Sequence, residues 1–130
     1  GVGGQKDEFQ KKVEELEISD MVVDTCFVSD EERDCLYENC KLFLFPSVFE
    51  GFGMPTIEAL GKGKIVLTTR ESCLEEVTKG RAVYVDAPYD EGEWADKIQW
   101  AMTQAGEAVD FEDYSLEKVV AKYVKLFTNR

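Results

Sequence analysis

The sequence predicts an α/β fold: a parallel β-sheet with helices on both of its faces. Three observations carry this expectation. Short apolar runs at 42–45, 64–68 and 82–85 alternate with longer stretches of helical character, and strands alternating with helices imply a parallel sheet. The run Leu42–Phe45 is unbroken and closed by Pro46, as in a strand buried on both faces. In 115–127, Leu116, Val119, Val120, Tyr123, Val124 and Phe127 recur at helical spacing and form one apolar stripe.

Taken in order, residues 6–16 are helical, because Phe9, Val13 and Leu16 share a face. Residues 21–27 are β-rich and short, and are expected as a strand. Ser29 caps a helix over 30–40, with Asp30, Glu31 and Glu32 complementing its dipole. A strand at Leu42–Phe45 leads into a glycine-punctuated loop and a helix from Pro55 to Leu60, ended by Gly61 and Gly63. A strand over 64–68, a short helix over 73–77 and a strand over 82–85 follow. A helix over 93–103 turns Trp94, Ile98 and Ala101 inward, and the striped helix closes the chain.

The loop between the strand at 42–45 and its helix is the most informative segment. Glu50 and Glu58 bracket it, and Gly51 and Gly53 let the backbone turn tightly and approach a ligand. Pro55 suits the first helical position. The N–H groups of Thr56 and Ile57 are then expected to point out of a helix N-terminus, which suits an anion such as a phosphate. Two carboxylates that accept from hydroxyls, flanking an anion cradle, are the chemistry a nucleotide-sugar requires. Ligands of parallel sheets bind outside the C-terminal strand ends, which is where this loop falls.

The segment 46–59 reads PSVFEGFGMPTIEA. It resembles the donor-site signature of the retaining GT-B glycosyltransferases of family 4, P-S-x-x-E-G-F-G-x-P-x-x-E-A, at every fixed position. The likeness continues in Phe27 to Glu32 with Leu36-Tyr37, in Glu76-Val77 with Ala82 to Asp86, and in Tyr114 to Glu117. It implies the Rossmann-like, donor-binding C-terminal half of a GT-B fold, with residues 1–130 forming one nucleotide-sugar-binding domain of a larger enzyme. It implies Glu50 as the catalytic candidate, accepting from the sugar hydroxyls. Gly51, Phe52, Gly53, Met54, Thr56, Ile57 and Glu58 are implied as donor-binding, with Glu58 accepting from the ribose. Gly3 and Gly4 are either a phosphate loop or merely a terminal segment. Two departures, Ile65 and Glu75 where the family has proline, lie away from the expected donor. A larger one is at the front, where the family's first strand and its diphosphate-neutralising Arg and Lys find no match.

Composition narrows the alternatives. A chain of 130 residues supports one core. Its net charge of −12 argues against nucleic acid, which needs a basic footprint, and against direct contact with an anionic membrane. No apolar run is long enough to span a bilayer. Cys26, Cys35, Cys40 and Cys73 form no CxxC, and the chain has no histidine, so buried or partly buried thiols in a cytoplasmic, reducing setting are expected rather than a metal site. No cofactor is expected.

Blander roles stand beside these. Glu50 taken singly is an ordinary loop acid, and Glu58 a favourable first-turn charge. Phe49 and Phe52 wall a ligand or, more commonly, pack the loop onto the core. Trp94 and Trp100 are expected as packing residues, and Asp7, Glu8, Glu14, Glu15 and Glu17 as a solvated face. In the loop 68–72, Arg70 is a candidate phosphate partner, against a default of plain polar loop. Two functions follow: a hexosyltransferase-like enzyme of glycan biosynthesis that uses a nucleotide diphosphate sugar and a missing N-terminal acceptor domain, or a non-catalytic α/β module binding a nucleotide or a protein. The 130 residues alone are expected to be inactive, since half the cleft would be absent.

Overall fold

The computed structural model describes the backbone of residues 2–128, and the side chains among these other than those of 2–6, 123, 126 and 127. The chain forms two compact units, Gly1–Arg33 and Asp34–Arg130.

The first unit opens with helix α1 (Val2–Glu15), so the backbone of Gly3 and Gly4 is helical rather than looped. The helix ends on a residue in left-handed conformation, Glu17 (φ 55°), with Glu17 N–H on the Glu14 carbonyl and Ile18 N–H on that of Val13. Of the expected stripe only Val13 is buried; Phe9 and Leu16 are each more than half exposed. The acids of this helix and Glu17 are exposed, as a solvated face requires.

Residues 21–27 are not a strand. The segment has β-like composition, but among the described residues no strand pairs with it. Its backbone turns locally instead. Met21 N–H bonds the Ile18 carbonyl, and the Asp24 carboxylate accepts from Cys26 N–H at 2.9 Å, leaving Cys26 at φ 54°. A short polar side chain here offers the backbone an alternative to a ladder. Ser29 then caps helix α2 (Asp30–Asn39) as predicted, in a reciprocal capping box. Its Oγ accepts from Glu32 N–H at 3.2 Å, and Glu32 Oε2 accepts from Ser29 N–H at 2.8 Å.

The second unit holds a three-stranded parallel sheet in the order β1-β2-β3, formed by Leu42–Phe45, Ile65–Thr69 and Val83–Val85. Leu42 pairs with Ile65 and Phe45 with Thr68; Leu67 pairs with Val83 and Thr69 with Val85. Helix α3 (Met54–Gly61) connects β1 to β2, and the short helix α4 (Leu74–Val77) connects β2 to β3. Helix α5 (Glu91–Ala101) packs on β2 and β3. A 3₁₀ turn (Glu112–Tyr114) leads into α6 (Leu116–Thr128). Successive residues of β2 point to opposite faces, and Val66 and Leu67 are both fully buried, so both faces are covered at the central strand. The edge strand β1 is only partly buried, with Leu44 44% exposed, against the expectation of burial on both faces. One cluster joins Tyr37, Ala59, Leu60 and Val66, with Phe43, Val109 and Phe111 against it. Among the described residues no helix is long and apolar enough to cross a membrane.

The helix ends explain the element lengths. Gly63 (φ 73°) closes α3, with its N–H on the Leu60 carbonyl and Lys64 N–H on that of Ala59. Asp90 caps α5, which starts two residues before the sequence reading places it, by accepting from Gly92 and Glu93 N–H. The stripe of α6 is not buried as expected: Leu116 is 78% exposed, and Val120 and Val124 about half exposed; Tyr123 and Phe127 lie outside the described side chains. Cys40 and Cys73 are half-buried, but Cys26 and Cys35 are exposed, against expectation.

Glu93 ties α5 to the end of β3. Its carboxylate accepts from Lys97 Nζ at 2.8 Å, from Asp86 N–H at 2.9 Å and from Ala87 N–H at 2.7 Å. Lys97, foremost, and the two amides hold its pKa down to about 2, against an ordinary 4.5. A carboxyl with a depressed folded pKa contributes stability that is present above about pH 4.5 and lost as pH falls towards 2. The Tm difference between the native chain and Glu93→Gln is therefore expected to narrow over that interval. A gap that stays constant from pH 6 to about 2.5 would show that the charge contributes nothing.

Candidate functional site

The site is built at the C-terminal end of β1, and β2 holds it there. Thr68 Oγ1 donates to the Phe45 carbonyl at 2.8 Å, and Thr69 Oγ1 to the Ser47 carbonyl at 2.5 Å. Both threonines are fully buried, so a hydroxyl in the core of the sheet is matched to a carbonyl of the outgoing chain. Thr56, Thr68, Thr69 and Thr78 are the buried polar residues of the described core, and each of their hydroxyls bonds a backbone carbonyl.

Glu50 is gripped from two sides. Ser47 Oγ donates to its carboxylate at 2.8 Å. Ser72, from the loop after β2, donates its hydroxyl to the Glu50 carbonyl at 2.8 Å, and the Glu50 N–H approaches Ser72 Oγ at 3.5 Å. The Cys73 thiol lies 3.5 Å from the same carbonyl. Ser72 holds φ 58°, a left-handed conformation that costs an L-residue about 1–2 kcal/mol.

Gly51 and Gly53 are glycines for different reasons. A Cβ on Gly51 would meet nothing within 4 Å, so the space above it is open. Gly53 is buried at φ 79°, and a Cβ there would stand 2.6 Å from Leu74 Cδ2. Gly53 is also the N-cap of α3, and its carbonyl accepts from both Thr56 N–H (3.0 Å) and Thr56 Oγ1 (2.7 Å). The expected outward-pointing donor at Thr56 is thus corrected: this tight first turn uses it internally, and Thr56 and Ile57 are both buried. The exposed residues of the motif are Pro46, Val48, Phe49, Gly51, Phe52 and Met54.

Glu58 lies half-buried in the second turn of α3, and Tyr37 Oη donates to its Oε2 at 3.1 Å. Tyr37 is itself buried and stands edge-on to Phe43, so α2 and β1 set where the Glu58 carboxylate sits. Phe52 packs edge-on against Tyr114 at 5.2 Å, whereas Phe49 is 86% exposed and anchors nothing. Arg70 does not stand ready for a phosphate. It ion-pairs with Asp86 (2.7 Å) and Glu75 and lies over the Tyr84 ring, with Asp86 foremost in holding its charge. Trp94 packs, its Nε1–H on the Pro88 carbonyl. Trp100 is 55% exposed and lines a cavity of about 290 Å³ with Leu60, Ile65, Val83 and Gly106. That cavity is at the opposite strand ends, and no residue of the 46–59 motif lines it.

Ser47, Ser72, Thr68, Thr69 and Tyr37 are the supports that sequence reading did not single out. The polar run 68–72 after a strand was the available signal. The comparison that decides the family is with the model described as glycosyl transferases group 1, which matches residues 1–118. The chain belongs to that family. Relatives of this group 1 chain include an O-antigen chain mannosyltransferase, RfbU, of Salmonella typhimurium, 36% identical over 69% of this chain and 25% of that protein. The serotype-specific mannosyltransferase WbdA of Escherichia coli is 45% identical over 41% of the chain and 6% of its own length. An MMP alpha-(1->4)-mannosyltransferase of Mycolicibacterium hassiacum is 37% identical over 52% and 16%. The group 1 chain thus spans a quarter or less of these relatives. No solved structure matches it at comparable strength.

Proposed function

We propose that this chain is the donor-binding, C-terminal half of a retaining GT-B glycosyltransferase that transfers mannose from a nucleotide diphosphate sugar to a hydroxyl acceptor. The single observation that carries this reading is the loop 46–54, held at a strand's C-terminal end with Glu50 fixed and open space over Gly51. The mannosyltransferase names of the relatives support the choice of sugar.

In this reading the Glu50 carboxylate accepts from sugar hydroxyls with the lone pairs that Ser47 leaves. The backbone at Gly51, Phe52 and Met54 lines the sugar, and the open face of Gly51 lets it come close. Glu58 accepts from the ribose, oriented by Tyr37. Oriented backbone dipoles at the start of α3 stabilise the diphosphate as it leaves, because fixed dipoles need no reorganisation when charge develops. Thr56 and Ile57 contribute by shaping that helix start, not as free donors. The acceptor, and the cations a diphosphate requires, come from the remainder of the enzyme. Gly3 and Gly4 have no assigned part.

The test is a donor panel on the full-length protein: mannose, glucose and N-acetylglucosamine, each carried on GDP, UDP and ADP. Calorimetry is expected to show binding, and product analysis transfer with retained configuration, for a mannosyl donor. Donor binding without transfer to any hydroxyl acceptor would favour the non-catalytic module. Absence of binding to every member of the panel would overturn the proposal.

A further inference from the structure

We infer that Ser72 is a positioning residue that sets Glu50 for the reaction, and that it is held in an unfavourable backbone conformation to do so. The inference rests on the donor-site reading of Glu50 given above.

Glu50 sits in a loop with no ladder to fix it, since β1 ends at Phe45. Three contacts replace a ladder. Thr69 anchors the Ser47 carbonyl, Ser47 Oγ reaches the Glu50 carboxylate, and Ser72 Oγ bonds the Glu50 carbonyl at 2.8 Å with the Glu50 N–H 3.5 Å away. Thr69, on β2, and Ser47 fix the strand exit ahead of Glu50. The Cys73 thiol lies 3.5 Å from the Glu50 carbonyl, but the short bond comes from Ser72, in the loop following β2, and it addresses the main chain of Glu50 rather than its carboxylate. It therefore decides where the Glu50 Cα lies without drawing on the carboxylate that the sugar needs.

The backbone of Ser72 makes this more than an incidental contact. Its φ of 58° is a region where glycine is comfortable and serine is not. A turn of this shape is best made by glycine. Serine there brings strain and, in return, one hydroxyl, which is spent on Glu50. Strained residues of this kind mark sites where the surrounding structure over-determines a geometry. Ser72 is itself exposed, so burial does not explain the choice of side chain. Sub-ångström placement of a group against the reacting carbon is worth large factors in rate, and a 1 Å error costs about a hundredfold.

The test compares Ser72→Gly and Ser72→Ala with the native residue in the full-length enzyme. Both variants lose the hydroxyl; only glycine also relieves the strain. With the donor that the native enzyme uses, kcat is expected to fall about tenfold in both. KM for the donor and the Kd of the free nucleoside diphosphate should stay within about twofold, because Ser72 acts through the sugar-side glutamate. Tm is expected to separate the variants, with Ser72→Gly at or above the native value and Ser72→Ala below it. Loss of turnover in a variant of undiminished stability is the outcome a purely structural serine would not produce. Turnover that follows Tm, native-like in Ser72→Gly and impaired only in Ser72→Ala, would overturn the inference. So would native kcat in both variants. If the native enzyme turns over no sugar nucleotide, the donor-site reading falls and this inference with it.

Discussion

Gly53→Ala is expected to destabilise the domain by about 2–5 kcal/mol. The left-handed backbone at φ 79° costs an L-residue about 1–2 kcal/mol. The added methyl would also stand 2.6 Å from Leu74 Cδ2. Leu74 is fully buried and has little room to move, so overpacking adds about 1–3 kcal/mol. For a domain of this size the combined loss corresponds to a fall in Tm of about 10 °C or more. Gly51→Ala is the matched control. Its Cβ meets nothing within 4 Å, so Tm should move by no more than about 0.5 kcal/mol would allow. The same methyl would occupy the space assigned to the sugar, so donor binding should weaken although stability does not. Thermal melts of the two variants check the first contrast and donor calorimetry the second. An unchanged melt for Gly53→Ala would mean that the loop has another conformation of equal energy.

Glu50→Ala is expected to lower turnover by about ten- to a hundredfold, since it releases the transferred sugar from its aligned position. Glu58→Ala should act differently. A hydrogen bond to a charged acceptor is worth about 1.5–3 kcal/mol, and the ribose is remote from the bond that breaks, so the loss should appear as weaker donor binding. Glu58→Ala also removes the acceptor of the Tyr37 hydroxyl, which adds a stability cost of about 1 kcal/mol. Steady-state kinetics with calorimetry on the full-length protein separate the two effects. Unchanged turnover with weaker nucleotide binding in Glu50→Ala would reverse the two assignments.

How far the sequence reached differs from element to element. Leu42–Phe45 was bounded to the residue, because an unbroken apolar run closed by proline permits little else. The α3 stop at Gly63 and the Ser29 cap were legible because both are local chemistry, completed within a few residues. The strand expected at 21–27 failed for the opposite reason. Composition makes a segment suited to a sheet, but a strand exists only where a partner offers its hydrogen bonds, and here Asp24 turned the backbone instead. The stripe of α6 was read from its spacing, but spacing does not supply the surface that would cover Leu116, Val120 and Val124.

The same division runs through the site. The sequence by itself determined the family, the α/β class and the segment that carries the candidate chemistry, because residue identity and spacing along one short loop suffice for each. It did not determine which of that segment's groups are available. Thr56 spends its N–H and its hydroxyl on the Gly53 carbonyl, and Arg70 is held by Asp86 and Glu75 over Tyr84. Nor did it show that Thr68, Thr69 and Ser72 hold the loop in which Glu50 stands. These are contacts between residues some twenty positions apart, made neighbours only by the parallel pairing of β1 with β2. A hydrogen bond depends on where two atoms finally lie, and only the folded chain decides that.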